Sequence, residues 1–223
     1  MIIVAIDEIE IKKASAIIDN LDPEKCMIKI GSVSFNSIGR NIIHYAYKKG
    51  FDIFLDLKLH DIPNTVKKSI EGLTSLPISM LTIHTSGGTD MMLAAMEAVA
   101  SSKIKIFGVT ALTSLSDNDT INIFKRNSSD QVNAMLDLAI SAGIDGVVCS
   151  PHELKLVSLR KSLLSITPGI RLQDSSDDQK RVMTPRKAID LGSDFLVIGR
   201  PITASNDINK TLNEVYLSIN EQD

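Results

Sequence analysis

Short apolar runs rich in β-branched residues alternate with amphipathic stretches along the chain, and this alternation limits the folds that the chain can adopt. The first run, IIVAID at positions 2–7, is followed by apolar residues at helical spacing between Ile11 and Leu21. A short apolar run predicts a buried strand, and the helical spacing predicts a helix that packs against it. The same unit then repeats, with one predicted helix ending at Gly50 and another beginning at Pro63.

Runs of this kind predict eight strands, at positions 2–7, 27–31, 51–59, 80–85, 104–112, 146–150, 163–170 and 194–200. The runs are apolar on both faces, as expected of parallel strands covered by helices. Eight strand–helix units close into a (β/α)8 barrel, and 223 residues suit one such domain. An open doubly wound sheet is the alternative, but no GxGxxG motif follows the first strand, as a dinucleotide-binding sheet requires. We therefore expect an α/β chain with a single TIM-barrel domain over residues 1–223.

Charge and cysteine content indicate which partners and which cellular compartment to expect. The net charge is −3, so neither a nucleic acid nor an acidic membrane is an expected partner. No apolar run approaches the roughly 18 residues that a transmembrane helix needs. Cys26 and Cys149 are isolated, and the apolar start MIIVAI lacks the basic flank of a signal peptide. These features predict a soluble, cytoplasmic protein. Because the net charge is negative, an anionic ligand would need positively charged residues at its own binding site.

Polar and charged residues end or follow many of the predicted strands, where barrel enzymes carry their functional groups. They are Asp7, Lys29, Asp56, Lys58, Thr113, Arg171 and Arg200. In the stretch FLDLKLHDIPNTV, strand alternation places Asp56 and Lys58 on one face and the intervening leucines on the other. This pattern predicts that the charges line the barrel mouth. A purely structural ion network satisfies the same pattern and remains open.

A glycine and an arginine stand close together at the end of each of the last two predicted strands. Gly169 precedes Arg171, and Gly199 precedes Arg200. Loops at these strands form the usual phosphate site of a TIM barrel. Glycine lets backbone amides approach an anion closely, and arginine adds paired hydrogen bonds. The pairs therefore predict a phosphate site, although both glycines could merely end their strands.

Taken together, these motifs resemble those of orotidine 5′-phosphate decarboxylase, of the short bacterial type, over essentially the whole chain. The matching segments are VAID at the start, KIG at Lys29, DLKLHDIPNT at 56–65, TALTS at 110–114, TPGIR ending at Arg171 and IGRPIT at 198–203. The Asp-x-Lys-x-x-Asp part is shared with a wider set of barrel enzymes, which includes sugar-phosphate decarboxylases and a hexulose phosphate synthase. The IPNT that follows narrows the resemblance.

The resemblance implies a carbon–carbon lyase that decarboxylates orotidine 5′-monophosphate to uridine 5′-monophosphate, the last step of de novo UMP synthesis, without cofactor or metal. It implies that Lys58 donates the proton and that Asp56 and Asp61 bracket the reacting carboxylate. Lys29 then completes the charge array. It also implies a homodimer, in which Asp61 and Thr65 reach into the partner's site.

The resemblance further implies contacts to the rest of the nucleotide. Asp7 and Lys29 would hold the ribose hydroxyls, and Thr113 would read the pyrimidine ring. The phosphate would be bound by residues near the last two strands, namely Arg171, Gln179, Gly199 and Arg200.

Three other functions fit parts of the same pattern. In a metal-dependent sugar-phosphate decarboxylase or aldolase, Asp56 and Asp61 would hold magnesium, although the lysine between them argues against this. A Schiff-base aldolase needs a lysine in apolar surroundings, which the flanking aspartates do not provide. A non-catalytic binder of phosphate ligands could use the arginine and glycine loops, but it has no need for the Asp56, Lys58 and Asp61 array.

Overall fold

The computed structural model of the chain describes residues 1–172 and 183–220. Its strands are β1 (Ile2–Ile6), β2 (Cys26–Gly31), β3 (Ile53–Leu59), β4 (Met80–His84), β5 (Lys105–Val109), β6 (Gly146–Val148), β7 (Leu164–Thr167) and β8 (Phe195–Ile198). Within the described residues these eight strands pair in chain order and in parallel, and β8 pairs back with β1. The predicted (β/α)8 barrel is therefore confirmed, and the open sheet is excluded.

Each predicted strand is present, but most are shorter than the apolar runs that predicted them. The run at positions 104–112, for example, contains the shorter strand β5. Its apolar character continues past the last ladder pair because Ala111, in the loop, is also buried. Burial rather than strand pairing sets the length of such a run, so the run overestimates the strand.

Helices cover the outside of the barrel. They are α1 (Ile11–Asp19), α2 (Ser32–Ile38), α3 (Asn41–Lys48), α4 (Pro63–Glu71), α5 (Thr89–Val99), α6 (Asp117–Phe124), α7 (Ser128–Ser141), α8 (Leu154–Ser158), α9 (Pro185–Asp190), α10 (Arg200–Thr203) and α11 (Ile208–Asn220). As predicted, α4 begins at Pro63, and α3 ends shortly before Gly50, whose φ of 91° favours glycine. No helix among the described residues is both long and apolar enough to cross a membrane.

Two groups of buried apolar side chains hold the barrel together. The larger group lies between the strands and the helices and includes Leu55, Ile83 and Ile106. A smaller, separate group fills the inside of the barrel, where Phe54 and Phe107 meet edge to face with ring centroids 6.4 Å apart. Because the interior is packed, a ligand can enter only above this inner group.

Candidate active site

A cavity of about 590 Å³ opens at the carboxyl ends of the barrel strands. Its apolar lining comes largely from strand residues, namely Ala5, Phe54, Val148, Ile166 and Val197. Most of the predicted site residues also line it: Asp7, Lys29, Asp56, Lys58, Thr113, Arg171, Gly199 and Arg200. The structure thus brings together residues from distant parts of the sequence, as strand ends in a barrel are expected to do.

Two predicted residues do not line this cavity, and a third lies outside the described part of the chain. Asp61 and Thr65 are exposed, and neither belongs to its lining in the described chain. One carboxylate oxygen of Asp61 accepts a hydrogen bond from the backbone N–H of Ile62, at 2.7 Å. Gln179 lies outside the described residues. A magnesium ion held jointly by Asp56 and Asp61 of one chain does not fit this arrangement, because only Asp56 faces the cavity.

The charged groups form a row of alternating sign along one side of the cavity. Asp56 Oδ2 lies 2.7 Å from Lys58 Nζ and 3.6 Å from Lys29 Nζ. Lys29 Nζ in turn lies 3.3 Å from Asp7 Oδ1. The side chains of Lys29 and Asp56 are only 11% and 10% exposed, whereas that of Lys58 is 36% exposed. Burial of Lys29 and Asp56 in the middle of the row fixes the positions of the charges, and the ammonium of Lys58 remains accessible to a ligand.

Opposing effects act on the Asp56 carboxyl. Burial alone raises the pKa of Asp56, because it penalises the charged form. The charges of Lys29 and Lys58, with hydrogen bonds from Lys58 and Thr82, outweigh burial and hold this pKa below its ordinary value. Asp56 is therefore a carboxylate throughout the neutral range. Its negative charge keeps both ammonium groups paired at the cavity wall.

The backbone at Lys58 departs from a regular strand. Its φ is 52°, in the left-handed region, which costs a residue with a side chain about 1–3 kcal/mol. The pairing of β3 with β4 shifts here from Leu55 opposite Leu81 to Leu59 opposite Ile83. Asp56 and Lys58, which both line the cavity, lie within this bulge. Strand alternation correctly predicted the direction of both charges, but it gave no sign of the bulge.

Two small residues that the sequence did not single out also shape the charge row. A Cβ atom on Gly31 would lie 2.8 Å from Lys29 Nζ and 3.2 Å from Asp7 Oδ1, so glycine leaves the space for this ion pair. The fully buried Ser34 hydroxyl accepts a hydrogen bond from the Glu8 backbone N–H at 3.0 Å and contacts the Ile6 carbonyl at 2.9 Å. It therefore ties α2 to the loop that carries Asp7. The KIG motif contained a signal for Gly31, whereas nothing in the sequence marked Ser34.

The predicted phosphate residues lie together on the part of the wall that follows β7 and β8. Gly169, Arg171, Gly199 and Arg200 all line the cavity. Arg171 is buried and donates from Nη1 to the Ile170 carbonyl at 3.2 Å, whereas Arg200 is exposed. Gly169 has a φ of 81°, which only glycine adopts readily. Two guanidinium groups beside two glycines provide a cationic wall suited to an anion.

The low pKa of Asp56 predicts a specific dependence of stability on pH. A carboxyl group with a lowered pKa in the folded state stabilises the protein above its ordinary value, here 3.8, and this contribution is lost as the pH falls through the lower folded value. Asp56→Asn should therefore lower the free energy of unfolding at neutral pH. The difference from the wild type should shrink between about pH 5 and about pH 2. Denaturant unfolding across this range measures it, with the exposed Asp90→Asn as control; a constant difference would contradict the interpretation.

Known proteins resemble this chain over nearly its whole length. A sequence model described as the orotidine 5′-phosphate decarboxylase / HUMPS family matches residues 1–215. The orotidine 5′-phosphate decarboxylase of Ehrlichia canis is 44% identical over 222 residues, covering 98% of this chain and 97% of that protein. The protein of the same name from Coxiella burnetii is 46% identical over 223 residues, covering 96% and 94%.

A solved structure agrees with the sequence relatives. The crystal structure of orotidine 5′-phosphate decarboxylase from Lactobacillus acidophilus matches with a TM-score of 0.87 and 33% identity, covering 99% of both chains. The fold and the full-length sequence similarity thus confirm the family that the motifs predicted. This chain belongs to the orotidine 5′-phosphate decarboxylase / HUMPS family.

Proposed function

We propose that the chain is a cytoplasmic lyase that converts orotidine 5′-monophosphate to uridine 5′-monophosphate and carbon dioxide, the last step of UMP synthesis. The observation that carries the proposal is the Lys58 ammonium, held 2.7 Å from Asp56 in a cavity that Arg171 and Arg200 also line. A nucleotide bound by its phosphate at the arginines would extend its pyrimidine toward the lysine. The relatives described above carry the name of this activity.

The proposed reaction needs a cation next to the carbon that loses its carboxylate. When the carbon–carbon bond breaks, carbon dioxide leaves and the bonding electron pair stays on the ring carbon. The Lys58 ammonium stabilises this negative charge and then donates a proton to the same carbon, forming the C–H bond of the product. Lys58 is left as a neutral amine, and because its side chain is 36% exposed it can regain a proton from water.

Asp56 contributes mainly by holding the two ammonium groups. A carboxylate about 4 Å from the substrate carboxylate would repel it by roughly 4 kcal/mol at an effective dielectric constant near 20. Enzymes lower barriers by about 8–23 kcal/mol, and toward the upper end of this range the repulsion supplies only a minor part. Lys29 and Lys58 also neutralise Asp56, which weakens the repulsion further. Most of the effect must therefore come from stabilising the transition state.

The family also contains enzymes that act on sugar phosphates, so the substrate itself is the first test. Purified protein should release carbon dioxide from orotidine 5′-monophosphate and show no turnover of a hexulose phosphate or a keto-acid sugar phosphate. Only the nucleotide offers a pyrimidine ring that can accept negative charge next to Lys58. Turnover of a sugar phosphate alone would overturn the proposal. Tight nucleotide binding without turnover would favour the non-catalytic binder.

We also propose that the active form is a homodimer in which Asp61 and Thr65 complete the partner's cavity. Both residues are exposed and outside the cavity of their own chain, although they lie within a few residues of Lys58 in sequence. Their neighbour Ile62 is 67% exposed, so this segment also presents an apolar side chain to a partner. Asp61 would then place a second carboxylate near the partner's Lys58, as the resemblance implies.

Hybrid dimers test this arrangement. Lys58→Ala and Asp61→Asn dimers should each have very low activity. In a mixed dimer, the cavity of the Asp61→Asn chain keeps its own Lys58 and receives an intact Asp61 from its partner, so one of the two sites is wild type. Random mixing by co-refolding should therefore restore about one quarter of wild-type activity, since about half the dimers are mixed. No recovery in isolated mixed dimers would mean that Asp61 acts in its own chain.

A further inference from the structure

The side chain of Thr82, in the middle of β4, lies at the bulge that carries the charge row. Between the Leu55–Leu81 and Leu59–Ile83 pairs, β3 has three residues and β4 has only Thr82. A regular ladder would give the Lys58 backbone N–H a backbone carbonyl as its acceptor. Instead this N–H donates to the Thr82 hydroxyl at 2.8 Å.

The same hydroxyl makes a second contact with the charge row. Having accepted from Lys58, Thr82 Oγ1 donates its one proton to Asp56 Oδ1 at 2.9 Å. The other carboxylate oxygen, Oδ2, is then the one that pairs with Lys58 Nζ at 2.7 Å. Thr82 is fully buried and does not line the cavity, so it does not touch a ligand there.

We infer that Thr82 is a positioning residue for the reaction proposed above: its hydroxyl holds the left-handed turn at Lys58 and the rotation of the Asp56 carboxylate together. Without this hydroxyl, both the backbone at Lys58 and the Asp56 carboxylate could change conformation. The backbone at Lys58, with a φ of 52°, is strained, and strained conformations persist only where their surroundings fix them. A carboxylate can rotate about its terminal bond, which is a soft torsion. The Thr82 hydroxyl binds both groups. It therefore fixes the position of the Lys58 ammonium in two ways, through the Lys58 backbone and through the Asp56 carboxylate that pairs with the ammonium.

Loss of the Thr82 hydroxyl should affect the chemical step rather than substrate binding. Displacing a catalytic group by about 1 Å can cost about 10²-fold in rate. Thr82 does not contact the cationic wall at Arg171 and Arg200, so phosphate binding should not change. Thr82→Val keeps the shape and removes the hydroxyl. It should lower kcat for orotidine 5′-monophosphate by about 10- to 100-fold and change KM by less than about threefold. Thr82→Ser, which keeps the hydroxyl, should stay within about fivefold of the wild-type kcat.

A neighbouring threonine provides the matched control. Thr85 is also fully buried, and its hydroxyl donates to the Val109 carbonyl at 2.8 Å, away from the charge row. Thr85→Val therefore removes a buried hydrogen bond and should leave kcat unchanged. If Thr82→Val does not fold, Thr82→Cys replaces it. Cysteine and serine have similar size but differ in hydrogen-bond strength, so Thr82→Ser should exceed Thr82→Cys in kcat by about tenfold.

A second measurement does not depend on turnover. Acylation of Lys58 by acetic anhydride, followed by mass spectrometry, reports how firmly the ammonium is paired. It should be about threefold or more faster in Thr82→Val than in the wild type or Thr85→Val, because the Asp56 carboxylate can then rotate and the Lys58 side chain, held less firmly, is more accessible to the reagent. If the wild type lacks turnover but this difference appears, the proposed function fails and the role of Thr82 stands. Equal kcat and equal acylation in Thr82→Val and the wild type would overturn the role of Thr82.

Discussion

Replacing Lys58 by alanine is expected to lower kcat for orotidine 5′-monophosphate by at least about 10⁴-fold. A general acid contributes about 10²–10⁴-fold, and a preorganised electrostatic group adds about 10²–10³-fold. In the proposed reaction the Lys58 ammonium serves as both. Lys29 cannot substitute for it, because its side chain is only 11% exposed and lies between Asp7 and Asp56. Release of carbon dioxide, followed over hours at high enzyme concentration, measures the residual rate.

The loss should reflect chemistry and not unfolding. Lys105, at the opposite end of the barrel at the start of β5, is exposed, and Lys105→Ala should retain full activity. Lys58→Gly offers a second control, because glycine adopts a φ of 52° without a steric cost. It should be as inactive as Lys58→Ala but more stable by about 1 kcal/mol. A kcat for Lys58→Ala within about tenfold of the wild type would remove Lys58 from the mechanism.

Replacing Arg200 by alanine is expected to lower kcat/KM for orotidine 5′-monophosphate by about 10²–10³-fold, equivalent to about 3–4 kcal/mol. Arg200 is exposed and lines the cavity after β8, so its guanidinium can reach a bound phosphate. Remote binding energy of this kind serves to orient the reacting ring as well as to hold the substrate. The variant should therefore lose kcat in addition to raising KM.

Comparison of two substrates isolates the phosphate contact. Orotidine, which lacks the phosphate, should be turned over with a kcat/KM that Arg200→Ala changes by less than about threefold. The exposed Arg126, between α6 and α7, is a matched arginine outside the cavity, and Arg126→Ala should affect neither substrate. Equal losses on orotidine and on its phosphate would contradict a phosphate role for Arg200.

Local patterns predicted the barrel and most of the polar residues that line its cavity. Apolar runs and helical spacing depend on nearby residues, so all eight strands could be read from the sequence. Alternation within β3 likewise placed Asp56 and Lys58 on the face that lines the cavity. The roles assigned to these residues came from the family motifs, because alternation alone also fits a structural ion network.

The remaining features depend on how distant segments meet. The bulge at Lys58 follows from the register of β3 against β4, and Thr82 gains its position only through that register. The close approach of Gly31 to Lys29 is a three-dimensional contact that no spacing reveals. The proposed role of Asp61 rests on a second chain, which neither the sequence nor a single chain can display.

In the proposed reaction a lysine ammonium, with no metal ion, supports the loss of carbon dioxide from the nucleotide. The direct measurement is carbon dioxide release from orotidine 5′-monophosphate by wild-type protein before and after exhaustive treatment with a chelator, with Lys58→Ala in parallel. We expect equal wild-type rates before and after chelation and a rate at least about 10⁴-fold lower from the variant. A wild-type rate that disappears on chelation and returns with added magnesium would contradict it.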